Sequence, residues 1–263
     1  MIELGILGPS ALMVDDEQVG LGPALAMLAL ALLCARGSLV PIARLGGLLA
    51  APDGDPVAAV TVRSHVSHLR KAFGDSPGRG RGSKVLLSGK VNGSAAYALR
   101  AEAVDTDAAR FERELDEGQA ELREGNYKVA SEMLRHALSI WRGDPLADAA
   151  GRPFARDWAE HLGERRRQAM IARVAADVGA MRHADVTGEL ERMVRQWPDN
   201  EVVRTLHAIA LYRSGRPSGA AVACQDAIRA AQAQGLDSPR LHVLQRDVLK
   251  GTLPETGLPH LPG

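Results

Sequence analysis

The residues best suited to chemistry lie between Thr61 and Lys90. In TVRSHVSHLRKAFGD (61–75), Val62, Val66, Leu69 and Phe73 are spaced i, i+4, i+7, i+11. At about 100° per residue they form one apolar wedge, and Arg63, Ser64, Ser67, Arg70 and Lys71 share the opposite arc. Arginine, serine and histidine are donors and acceptors that read base edges, arginine bidentately on guanine. A solvated amphipathic helix has the same pattern, so the neighbouring elements must decide between the two readings.

Other motifs point to weaker chemistry. GRGRGSK (78–84) has the outline of a phosphate-binding loop, but Ser83 stands where a glycine must precede Lys84. Val85 follows where a Ser or Thr would hold the metal. The stretch reads instead as a flexible basic loop able to touch backbone phosphate. His65 and His68 are three apart, yet no Cys or second histidine pair with ligand spacing accompanies them. No nucleophile–base pair is evident. The expectation is a protein that is not an enzyme and carries no cofactor or metal. Cys34 and Cys224 read as two reduced thiols in a cytosolic protein rather than as a disulfide framework.

Composition is that of a soluble globular chain of 263 residues, 46% apolar and 24% charged, with only 3% aromatic. Its net charge is zero but unevenly distributed. Residues 61–90 hold seven basic residues against one acidic, a local +6 that suits contact with a polyanion. LGPALAMLALALLCARG (21–37) resembles a secretory leader, but Asp15, Asp16 and Glu17 lie where such a leader is basic. About fifteen apolar residues are also too few to span a bilayer comfortably. The run is expected to be a buried helix in a cytoplasmic protein with no membrane partner.

The elements that must position the basic helix follow from local signals. IELGIL, ALMV and EQVGL read as short strands, with Asp15-Asp16 as a turn. Pro23 can open a first helix that Gly37 closes. VPIARLGGLLA suggests a second helix, and Asp55-Pro56 suggests the cap and first position of a third, running to about Phe73. KVLLSG and AAYALRA read as a hairpin turned at Asn92-Gly93. A small sheet, three helices and a terminal hairpin is the order of a winged helix-turn-helix, whose third helix enters the major groove.

From Asp105 onward only helices are expected. GNYKVASEMLRHAL and SGRPSGAAVACQDAI each place an alanine five residues after a turn glycine. Aligning MRHADV with SGRPSG sets Met181 and Gly215 34 residues apart, the tetratricopeptide period. An insertion near GDPLADAAGRPFARDWAEH breaks the spacing. Three degenerate helix-pair repeats result, of a kind that forms concave protein-binding surfaces.

The motifs ELGILGPSALMV, VRSHVSHLRKAFG, VDTDAARFE, ALSIWRGDPLAD and ALYRSGR together resemble the small form of the Streptomyces antibiotic regulatory proteins. That resemblance covers nearly the whole chain. It implies an OmpR-like winged helix followed by a bacterial transcriptional activation domain. It further implies binding to direct repeats in promoter double-stranded DNA, self-association on DNA, and recruitment of RNA polymerase holoenzyme to biosynthetic gene clusters.

Three features depart from the family. GPALAMLAL lacks the Lys and Arg usual at the start of the first helix, the second helix ends without its tryptophan, and the wing carries Ala96-Tyr97 in place of Gly-Tyr. The uncharged first helix, apolar all round, is expected to pack against the activation domain or a second copy.

The expected fold is mainly α with a small β component: a winged helix-turn-helix over 1–103, an all-α tetratricopeptide-like domain over 104–253 and a flexible tail over 254–263. Arg63, Ser64, Ser67, His68 and Arg70 are the candidates for base edges. Thr61, Lys71, Arg79, Arg81, Lys84 and Lys90 are the candidates for phosphate, the last four compensating for the uncharged first helix. Two alternatives stay open: an interaction scaffold with weakened DNA binding, and a regulator gated by a ligand bound in the repeats.

Overall fold

The computed structural model describes residues 1–51, 53–76 and 79–259; the side chains of 75, 76 and 79 also lie outside the described part. Two compact units form, one from 1–112 with 139–165 and the other from 113–138 with 166–263.

The first unit begins with β1 (Ile2–Gly5), β2 (Ala11–Val14) and β3 (Glu17–Val19), an antiparallel set. Asp15 and Asp16 turn the second hairpin at φ 50° and 69°, a left-handed pair that suits the twist of two-residue hairpins. Next come α1 (Pro23–Cys34), β4 (Val40–Pro41), α2 (Ile42–Leu49) and α3 (Ala59–Ala72). The paired strands β5 (Asp75–Ser76) and β6 (Arg79–Gly80) and the short α4 (Arg81–Val85) lead to the hairpin β7 (Leu86–Val91) and β8 (Ser94–Leu99). The N-terminal sheet gains its last strand, β9 (Asp105–Thr106), parallel to β1.

Local structure departs from expectation at several points. Val40–Pro41 is a strand rather than the start of α2, because Val40 pairs with Tyr97 and Pro41 with Ala96 on β8. Helix α3 starts at Ala59, with Ala58 as its N-cap and no side-chain cap. Pro56 favours extended backbone at Asp55, and the Val57 N–H donates to Gly46 O at 3.0 Å, holding this stretch across α2. Gly46 permits the crossing, since a Cβ there would lie 2.5 Å from Val57 O. The basic loop contains the β5–β6 pair and α4. Asp105 is not the start of an all-helical region, because β9 completes the first sheet.

Helix α1 buries Ala26 and every residue from Leu28 to Leu33. Its neighbours are α2, α3, β8 and a one-turn helix at Ala147–Ala149. The last of these comes from the chain expected to form the activation domain, so α1 finds part of its cover there. That segment is fastened by Asp107, at the start of α5 (Asp107–Arg123). The buried Asp107 carboxylate accepts from Ile6 N at 2.7 Å and from Leu7 N at 3.2 Å. It also accepts from Arg142 Nη2 at 2.9 Å. Arg142 Nη1 donates to Pro9 O, Arg142 N donates to Leu7 O, and Leu146 N donates to Ile6 O. Phe111 and Trp141 meet edge to face, their centroids 5.2 Å apart. ELGILGP, VDTDAARFE and WRGDPLAD therefore converge on a single polar clamp.

The second unit contains α5 from residue 113, α6 (Tyr127–Ser139) up to residue 138, the later part of α7 (Pro153–Gly179), α8 (His183–Gln196), α9 (Glu201–Arg213), α10 (Pro217–Ala233) and α11 (Pro239–Lys250). The helix pairs α5–α6, α7–α8 and α9–α10 are the three expected repeats. Each turns through a left-handed residue: Gly125 (φ 82°), Met181 (φ 65°) or Gly215 (φ 73°). Each following amide, of Asn126, Arg182 and Arg216, donates back five residues to Glu121, Asp177 and Leu211 O. This is the Schellman closure, which satisfies the last carbonyls of a helix. Five residues past each turn, Ala130, Val186 and Ala220 are buried.

A buried carboxylate organises one end of this unit. Asp177 accepts from Ser131 Oγ at 2.7 Å, Arg135 Nη2 at 2.6 Å and Arg173 Nη1 at 3.2 Å. Arg182 Nη2 lies 2.7 Å from Oδ1, the oxygen that also accepts from Ser131. Burial pushes the Asp177 pKa up, but the Ser131, Arg135 and Arg173 hydrogen bonds outweigh it and hold the group below the ordinary carboxylate value. Burial raises both Cys34 and Cys224 to about 11, which disfavours the reactive thiolate.

Candidate nucleic-acid interface

Helix α3 has one sealed apolar face and one exposed polar face, with Val60 of its first turn also exposed. Val62, Val66 and Leu69, with Phe73 at the C-cap, are at most 2% exposed and seal it onto the unit. Thr61, Arg63, Ser64, Ser67, His68 and Lys71 are all exposed on the other side. No acidic residue occurs between Ala59 and Ala72. The first-turn amides have no side-chain cap, which leaves donors near Thr61 suited to a phosphate oxygen. His65 is half-buried and His68 exposed. Among the described residues no group of three or more potential ligands could hold a metal ion, and no helix is long and apolar enough to cross a membrane.

Arg70 differs from its neighbours. Its Nε and Nη2 donate to Leu86 O at 3.1 and 2.7 Å, and Nη2 also donates to Ser88 Oγ at 2.8 Å. The guanidinium therefore joins the last turn of α3 to the first strand of the hairpin. Gly82 supports the same junction. A Cβ there would collide with Arg70 O, so only a glycine lets α4 approach α3 this closely. Neither contact is visible as a sequence pattern, because an arginine on a polar arc looks alike whether it reaches solvent, DNA or a carbonyl oxygen.

The hairpin β7–β8 turns at Asn92 and Gly93, with φ 49° and 78°, as an Asn-Gly hairpin requires. Lys90 is exposed on β7 opposite Ala95, and Lys84 is exposed on α4. Arg81 is engaged: its Nη1 lies 2.6 Å from Asp15 Oδ2. The hydrogen bond from Arg81, followed by that from the Met1 amine, lowers Asp15 to about 2. The Arg79 side chain lies outside the described residues. The cations thus fall into three groups: Arg63, Lys71, Lys84 and Lys90 exposed to solvent, Arg70 bound to the hairpin, and Arg81 paired with an acid.

The chain is similar to known proteins. Residues 106–249 match the family model described as the bacterial transcriptional activator domain. The regulatory protein AfsR of Streptomyces coelicolor is 32% identical over 253 residues, which cover 95% of this chain and 24% of AfsR. DnrI of Streptomyces peucetius, also a regulatory protein, is 32% identical over 194 residues, 70% of this chain and 67% of DnrI. The solved structure of Mycobacterium tuberculosis EmbR in complex with a low affinity phosphopeptide superposes with a TM-score of 0.75. That match has 26% identity and covers 98% of this chain and 66% of the EmbR chain. The present chain therefore spans about a quarter of AfsR and two thirds of DnrI and EmbR.

Proposed function

The chain belongs to the Streptomyces antibiotic regulatory protein family of transcriptional activators, and from that premise we propose that it is a sequence-specific activator of a biosynthetic gene cluster. In this reading α3 enters the major groove, and Arg63, Ser64, Ser67 and His68 address base edges. Thr61 and the α3 amides meet one phosphate, and Lys71, Lys84 and Lys90 meet others along the helix and wing. Arg70 sets the angle between helix and wing. Arg81 contributes only by exchanging Asp15 for phosphate, and Arg79 is a further phosphate candidate on the neighbouring strand. Paired copies occupy direct repeats and recruit RNA polymerase holoenzyme, with 1–103 as the DNA-binding domain and 104–253 as the activation domain.

The observation that carries this reading is the acid-free exposed face of α3 behind a fully sealed apolar face. Footprinting on the promoters flanking its own gene, at low and moderate salt, tests it. Protection of two direct repeats about one helical turn apart is expected. Absence of protection at low salt by folded protein contradicts the reading and leaves the interaction scaffold as the better account.

A further inference from the structure

The segment after α11 lies against the second unit without joining its secondary structure. Gly251 caps α11 in the left-handed conformation, and Thr252 N donates back to Asp247 O. Beyond that point, among the described residues, no backbone–backbone hydrogen bond ties 253–258 to the helices. Two leucines and one arginine hold the segment. Leu253 is 5% exposed within the main core cluster of the unit, and Leu258 packs against the same cluster. Pro254, Glu255 and Thr256 between them are exposed.

The arginine is Arg213, at the end of α9. Its Nε and Nη2 donate to Pro254 O at 3.3 and 2.9 Å, and Nη2 also donates to Gly257 O at 2.9 Å. Nη1 donates to Val178 O on α7 at 3.2 Å. Among the described residues all of its hydrogen-bond acceptors are backbone carbonyls, so it reads a chain path rather than a side chain. Burial lowers its pKa, and those carbonyls offset the loss of water around the charge. Tyr127 of α6 completes the site. Its ring lies against the backbone at Gly179, where a Cβ would sit 2.5 Å from Cδ1. Its hydroxyl faces Gly257, whose φ is 77°. Leu253 and Leu258 anchor the two ends of the segment while Arg213 clamps the carbonyls of Pro254 and Gly257 around a bend at 255–257, and helical-repeat scaffolds present concave surfaces of this kind to partner chains.

We propose that the surface formed by Tyr127, Val178 and Arg213 is a binding site for a bent peptide of Leu-Pro-x-x-Gly-Leu type, which the chain's own residues 253–258 occupy in cis. A partner carrying such a segment competes with the tail for the site. The tail holds it at the high local concentration of a short tether, roughly millimolar, so the occupied state is the resting one. This site is independent of the DNA-reading face, and its failure would leave that proposal untouched.

The test uses full-length protein and a fluorescein-labelled peptide of residues 252–259, followed by anisotropy up to about 1 mM peptide. Wild-type protein is expected to bind it weakly, because the site is filled. A Leu253→Ser/Leu258→Ser variant empties the site without altering its walls, and is expected to bind at least tenfold more tightly. Adding Arg213→Ala removes that gain, and a peptide with both leucines replaced by serine does not bind. A folded double variant that ignores the peptide overturns the proposal and makes the tail a fixed cap. If the double variant melts early, saturating peptide must restore its melting temperature, and failure to do so overturns the proposal equally.

Discussion

Replacing Asp107 with alanine removes the acceptor for two buried amides and the partner of Arg142 at once. Among the described residues, Ile6 N and Leu7 N, at 2.7 and 3.2 Å, have no acceptor other than this carboxylate. Each orphaned amide costs about 1–3 kcal/mol. Arg142 keeps Pro9 O and is 39% exposed, so water recovers part of its loss. The two amides sum to about 2–6 kcal/mol, which brackets the about 3–5 kcal/mol for removing one partner of a buried pair and is a large share of the roughly 5–15 kcal/mol of a whole domain.

Native-state hydrogen exchange reads this directly. Protection of the Ile6 and Leu7 amides is expected to fall by about 10²- to 10⁴-fold. Asp107→Asn keeps an acceptor oxygen and is expected to lose about 1–3 kcal/mol. The Arg182 amide, which closes the α7–α8 turn in the other unit, should keep its protection in both variants. Unchanged exchange at Ile6 and Leu7 would refute the clamp, and equal loss at Arg182 would show a global rather than a local effect.

Other outcomes follow from the same geometry. Gly82→Ala forces α4 off α3 at Arg70 O, and is expected to cost about 1–3 kcal/mol in urea unfolding. It should also weaken DNA binding beyond what the stability change explains. Arg70→Ala frees the wing and should lower affinity for specific and scrambled duplex by the same factor in a filter-binding assay, whereas a base-reading role would lower only the specific one. Asp177 has a depressed pKa in the folded state, so its stabilisation is full above the ordinary value of 3.8 and is lost as pH falls through the folded pKa. Chemical unfolding followed below about pH 4 should show that loss in wild-type protein and none from this group in Asp177→Asn.

Much of this architecture is legible from residue types alone. The wedge of Val62, Val66, Leu69 and Phe73 has only one way to face a core. Pro23, Asn92-Gly93 and the glycines at 125 and 215 mark their turns by backbone preference. Met181 is less evident: it adopts the left-handed turn without being glycine, and only its alignment with Gly215 reveals it. What stays hidden depends on contacts between residues far apart in sequence. Asp107 and Arg142 are 35 residues apart and both look like surface charges. β9 is two residues long and takes its identity from β1. The Asp55-Pro56 cap misleads because Val57 has a better partner in Gly46 O across the chain. Arg70 and Arg81 illustrate the same limit for the interface, since composition counts cations without telling which are already bound.

The most direct test of the central claim compares Arg63→Ala with Lys84→Glu/Lys90→Glu on the footprinted repeat and on a scrambled duplex across a salt series. Arg63→Ala should lose about 1–3 kcal/mol on the repeat alone, with an unchanged salt slope. The double lysine variant should weaken binding to both duplexes and flatten the slope of log K against log salt by about 1.8. If Arg63→Ala weakens both duplexes equally, or the lysine variant leaves the slope unchanged, then α3 does not read sequence or the wing does not grip phosphate, and the account is wrong.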